Sequence, residues 1–149
     1  MYPSVANAGE IIQIVQAASV TSTSTTSTSF VTANLSASIT PTSTSSQIMI
    51  ICHTGVGFNT RATFGVFTLF RGTVAGTNLG NGSAGMTQLY PAAAATEWTN
   101  LALTYLDSPN TTSAQTYTLG MRVSAAGGGD VTSQNGSGTG IMLLLEVKG

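Results

Sequence analysis

The chain has 149 residues, the size of one domain with one core, and only 6% of them are charged, against about 25% in an ordinary soluble domain. Its four cations, Arg61, Arg71, Arg122 and Lys148, are too scattered to displace counterions from a nucleic-acid backbone, which excludes nucleic acid as a partner. One cysteine, Cys52, excludes an internal disulfide; the opening lacks a basic signal region, and no apolar run approaches the ~18 residues of a membrane span, so neither a signal nor a membrane segment is expected.

Met1 to Gly9 holds Pro, Asn and Gly without periodicity and reads as an arm, with Tyr2 a candidate contact on a neighbour; residues 10–149 read as a single domain. Glu10 to Gln16 (EIIQIVQ) is strand-like. Between Ser19 and Ser46, 19 of 28 residues are Ser or Thr, the composition of a linker or stalk. Periodicity overrides that composition: Val31, Ala33, Leu35, Ala37 and Ile39 alternate with Thr32, Asn34, Ser36, Ser38 and Thr40, the pattern of a strand with one apolar and one hydroxyl-rich face. The Ser/Thr run at 21–29 is then an exposed strand or loop before Phe30.

Gln47 to His53 (QIMIICH) is apolar on both parities, as expected for a central strand covered on both faces. Cys52 sits in that run as a buried small hydrophobe. Residues 54–62 read as a loop with Phe58 exposed, and Phe64 to Arg71 (FGVFTLFR) as a further strand. A Gly- and Asn-rich loop spans 72–88, and Tyr90 to Ala95 could form one helical turn opened by Pro91.

Leu101 to Tyr105 and Tyr117 to Val123 each alternate, and Asp107-Ser108-Pro109-Asn110 supplies turn chemistry between them, so residues 101–124 read as one long β-hairpin. After a second glycine-rich loop, Ile141 to Val147 (IMLLLEV) closes the chain as a buried strand. About eight short strands without helices between them predict an all-β, antiparallel β-sandwich, jelly-roll-like. Its edges lack the Lys, Pro and inward charges that normally guard them, so burial against identical copies is the expected remedy.

The run LDSPNTTSAQTY (Leu106 to Tyr117), the opening GEIIQIVQAAS (Gly9 to Ser19), the stretch TSTSFVTANLSASITPTSTSSQIMI and FRGT (Phe70 to Thr73) together resemble a family of β-rich bacteriophage virion proteins. Such domains serve as distal tail-fibre domains and as small head or decoration proteins, especially of marine and cyanobacterial phages. The resemblance runs from about Gly9 to Val147 and implies a non-enzymatic β-sandwich, commonly a homotrimer, on the outside of the particle. The short arm tilts the expectation toward a capsid decoration or cement protein held by the major capsid protein or another virion protein, and assembled in the host cytoplasm. A tail-fibre or head-fibre tip that binds a host surface glycan is the alternative.

No catalytic or cofactor motif survives scrutiny. Gly80 to Gly85 matches G-x-G-x-x-G, but no strand leads directly into it and no helix follows, so a surface loop is expected. Cys52 and His53 are adjacent on a strand and point to opposite faces, and one His with one Cys cannot complete a zinc site. A calcium site would have to draw on Asp107, Asn110 or Asp130, which are thinly spread. Glu97 and Asp107 stand at opposite ends of one strand, roughly 30 Å apart, too far for the carboxylate pair of a glycoside hydrolase. Trp98, Tyr90, Phe58 and Tyr105 could offer flat faces to a sugar, although aromatics in such strands are more often core. Asn59 and Arg61 beside Phe58, and Arg71 at a strand end, are the remaining contact candidates, the arginines as forks to a carboxylate.

Overall fold

In a computed structural model, residues 7–59, 64–91, 96–127, 129–134 and 138–149 are described. They form eleven strands and no helix: β1 (Ile11–Ser19), β2 (Thr23–Thr25), β3 (Val31–Ile39), β4 (Gln47–Phe58), β5 (Gly65–Arg71), β6 (Thr77–Asn78), β7 (Thr87–Leu89), β8 (Glu97–Asp107), β9 (Gln115–Val123), β10 (Val131–Ser133) and β11 (Gly140–Val147). Eight are the expected strands. The other three, β6, β7 and β10, are pieces of two or three residues inside the glycine-rich segments.

The strands build two antiparallel sheets packed face to face as a β-sandwich. In the first, β1, β11, β4 and β8 lie side by side, and along the second half of β4 the places of β11 and β1 are taken by β10 and β2. In the second, β3, β9 and β5 are neighbours, with β6 and β7 both on the free edge of β5. Strict alternation aims one parity of each long strand inward. Ile48, Ile50, Cys52, Val56 and Phe58 of β4 thereby meet Leu35, Ile39, Tyr117, Leu119 and Met121 of the opposite sheet in one cluster. Each such side chain, fully buried, contributes about 1.5–3 kcal/mol of transfer free energy.

Three expectations need correction. The two runs of the anticipated hairpin are both strands, yet they do not pair: β8 bonds to β4 in the first sheet and β9 to β3 and β5 in the second. The segment 108–114 therefore carries the chain across the sandwich. Loops of two to five residues favour hairpins, and this one is longer.

The strand covered on both faces is β5, not β4. Every residue from Gly65 to Phe70 is buried, because the glycine-rich segment after it folds back over its outer side. Thr68 Oγ1 donates to Asn78 Oδ1 at 2.7 Å, and Phe30 meets Phe70 edge-on at 5.4 Å. Along β4 one parity is buried, while Ile51 and His53 stand exposed.

The 54–62 segment is strand as far as Phe58 rather than loop. The G-x-G-x-x-G run is a tight turn, in which Asn81 Oδ1 accepts from Ser83 N and Ala84 N at 3.0 and 3.1 Å. Of the Tyr90 to Ala95 turn, Ala92 to Ala95 lie outside the described residues.

Candidate functional site

Of the five contact candidates, Tyr2 and Arg61 lie outside the described residues. Phe58 is corrected: it closes β4 on the inward parity, is 4% exposed and belongs to the core. Asn59 follows it and is exposed; its Oδ1 accepts from Asp130 N at 3.0 Å, tying the end of β4 to the entry of β10. Arg71 faces a carboxylate of its own chain, Nε lying 3.3 Å from Asp107 Oδ2 without hydrogen-bond alignment. The structure brings Phe58 and Asn59 together and puts Arg71 in the other sheet.

The groups that could carry chemistry are structural. Cys52 is buried on the inward side of β4, and burial pushes its thiol up to about 12. Thiolate, the reactive form, is therefore absent at neutral pH. Glu146 is fully buried, and its Oε1 accepts from Thr42 N at 2.6 Å and Thr42 Oγ1 at 2.7 Å. Burial raises its pKa, but the Ser46 and Thr42 hydroxyls with the Thr42 and Ser43 amides outweigh burial and hold it below the usual carboxylate range.

Asp107 is buried against Tyr117, and Asp130 accepts from Ser24 Oγ at 2.5 Å. These two acids belong to opposite ends of β4, since Asp107 pairs with Ile48 and the residue after Asp130 pairs with Phe58. A shared calcium site is thereby broken up. Among the described residues no three His, Cys, Asp or Glu converge on a point that could hold a metal ion.

What stands out instead is the outer face of the first sheet. Ladder register aligns Ile14 of β1, Leu145 of β11, Met49 of β4 and Leu106 of β8 in one row across all four strands. The next row is Gln16, Leu143, Ile51 and Thr104, and the third is Ala18, Ile141, His53 and Ala102. All twelve positions point away from the core, and no Lys, Arg, Asp or Glu is among them. Ile14 is 63% exposed, Leu106 43% and Ile51 39%. Four strands about 4.8 Å apart and three rows about 6.6 Å apart give this uncharged, mostly apolar face a projected area of roughly 380 Å², within the ~300–600 Å² of the largest apolar patch on a typical monomer, which is often functional.

No family model and no curated protein matches this chain. Sequence reasoning registered the signal for the face but assigned it to the interior. Apolarity on both parities in QIMIICH is the pattern of a strand covered on both faces, and the described residues cover only one of them.

Proposed function

We propose that the chain is a non-enzymatic structural protein of a bacteriophage virion, a decoration or cement protein on the particle exterior that acts by packing its uncharged sheet face against sister copies. The observation that carries this reading is the apolar outer face of the first sheet. Two neutral copies of such a face can meet without desolvating a charge and without mutual repulsion, which makes a second copy of the chain its fitting occupant.

Size bears on the assembly. The face is about half of the ~800 Å² that each partner contributes to a standard interface. One sheet-to-sheet contact alone is therefore thin, and a ring such as a homotrimer, or a lattice in which the major capsid protein covers more surface, supplies the remainder. Contacts of this kind carry no Lys, Arg, Asp or Glu, so added salt weakens them little.

Immunogold labelling of phage particles that carry the gene tests the reading. A regular distribution of gold over the head is expected. Gold confined to the tail tip would replace decoration by a fibre role, and unlabelled particles would overturn a virion role altogether.

A further inference from the structure

The second half of the same outer face has a different surface. Beyond His53, β4 places glycine at both outward positions, Gly55 and Gly57, so β4 itself puts no side chain on the outer face there. Register sets Trp98 of β8 opposite Gly57 on one side, Thr132 of β10 opposite Gly57 on the other, and Ser24 of β2 opposite Thr132. A single row thus runs from an indole over a glycine to two hydroxyls. Thr132 Oγ1 donates to Ser24 Oγ at 3.1 Å, and Ser24 Oγ donates to Asp130, which ends the row in a carboxylate.

The two glycines are not equivalent. At Gly57 the six-membered ring of Trp98 lies directly on the backbone, leaving no room for a Cβ; an aromatic ring over a strand glycine stabilises the pair. At Gly55 a Cβ would meet nothing within 4 Å. Glycine inside a strand costs roughly 0.5–1 kcal/mol relative to alanine, and it marks a place where something approaches the backbone closely. Covering Gly57 accounts for Trp98, but it does not account for the bare Gly55 or for the 48% of Trp98 that stays exposed. Between them lies a shallow open trough of about 290 Å³, lined by Gly55, Val56, Trp98, Thr99, Asn100 and Gly138.

We infer that this trough is a binding site for a neutral carbohydrate, with one hexose ring placed beside Trp98 over Gly55 and its hydroxyls read by the amide of Asn100, which pairs with Gly55 on the same outer face. The chemistry selects the class. A wholly apolar ligand would remain half in water in so open a site, whereas a sugar has an apolar C–H face for the indole and hydroxyls for the walls. No charged side chain is among the described lining residues, which suits a neutral ligand. The site does not depend on the virion reading, and it lies beyond the three uncharged rows that would mediate assembly.

Trp98 is the only tryptophan in the chain, so its emission reports on the trough alone. Titration of the purified protein with maltohexaose, cellohexaose, a linear mannan oligomer and a linear galactan oligomer is expected to give a saturable change with at least one of them. Gly55→Val fills the trough and leaves the fluorophore in place, and Asn100→Ala removes the amide; each is expected to weaken binding about tenfold or more. Circular dichroism confirms that each variant is folded, and Asn100→Ala decides the matter if Gly55→Val is not. Ile14→Ser, in the apolar half, is expected to leave the titration unchanged even if it abolishes assembly, which separates failure of this inference from failure of the assembly reading. No saturable change with any of the four sugars, or one that persists in a folded Gly55→Val variant or in Asn100→Ala, would overturn the assignment.

Discussion

The Tyr117 hydroxyl donates to Asp107 Oδ2 at 2.7 Å, and this bond crosses from one sheet of the sandwich to the other. Tyr117 is fully buried in β9 and Asp107 is the last residue of β8, so the two ends of the 108–114 crossing are pinned together from inside. Burial and the bond to Asp107 raise the Tyr117 pKa well above its ordinary value, which keeps the hydroxyl a donor at any ordinary pH. Tyr117→Phe is expected to destabilise the fold by about 1–3 kcal/mol, the range for leaving a buried acceptor without its donor. Asp107→Ala should cost more, because it strands both the hydroxyl and Arg71. Urea unfolding measures both, and a Tyr117→Phe variant as stable as the parent would show that the tie contributes nothing.

That relationship also marks the limit of what the sequence discloses. Alternation in LALTY and in TYTLGMRV is enough to place two strands with Leu101, Leu103, Tyr117, Leu119 and Met121 facing the core, and the structure puts each of them there. Which edge each strand bonds to depends on partners fifty or more residues away, such as Ile48 for Asp107 and Val66 for Arg122, and local patterning carries no trace of that. The same holds for the candidate surfaces. Trp98 is visible as an aromatic residue, but only the ladder reveals that it covers Gly57 and that Gly55 beside it is bare.

Glu146 should make stability depend on pH. Its carboxylate joins three segments: Oε1 takes the two bonds from Thr42, and the Gln13 amide nitrogen, turned toward β11, donates to Oε2 at 3.1 Å. The pKa is lowered in the folded state from an ordinary value of 4.5. Its stabilisation is therefore fully present above that ordinary value and is lost as pH falls through the lower folded one. Glu146→Gln is expected to be about 1–3 kcal/mol less stable than the parent at neutral pH, with the gap closing in acid. Thermal unfolding from neutral to strongly acidic pH checks it; a gap that stays constant would place the effect elsewhere.

Cys52 is expected to behave as a core hydrophobe and not as a thiol. With its pKa near 12 and no exposed surface, it should resist iodoacetamide in the native protein at neutral pH and react once guanidinium unfolds the chain. Mass spectrometry of the two samples reads this directly. Rapid labelling of the native protein would mean that β4 opens locally far more readily than a central strand should.

The turn after β6 rests on one glycine. Gly85 has φ +62°, and a Cβ there would come within 2.5 Å of the Phe67 carbonyl oxygen. Gly85→Ala is expected to cost about 1–3 kcal/mol through backbone strain and the displaced Phe67 carbonyl. Gly82→Ala, in the same turn but with open space around it, serves as the control and should differ little from the parent. Equal melting temperatures for the two variants would show that the turn relaxes freely around β5.

The uncharged rows of the outer face make the last and most consequential prediction. Ile51 lies in the middle row on the outer face and is 39% exposed, so Ile51→Lys breaks no intrachain packing of consequence and should change the stability of the protomer by about 0.5 kcal/mol or less. Two copies joined by this face would then have to bury a lysine ammonium against Leu143 or Met49 without a counter-charge, at a cost of several kcal/mol per ion. Light scattering on the purified parent is expected to give the mass of an assembly, and on Ile51→Lys the mass of a protomer. Thr44→Lys adds the same charge at an exposed position in the turn before β4 and should leave the assembly intact, which separates the position of the charge from the change in net charge. A parent that runs as a protomer, or an Ile51→Lys variant that still assembles, would remove this face from the interface and with it the main physical support for the proposed role.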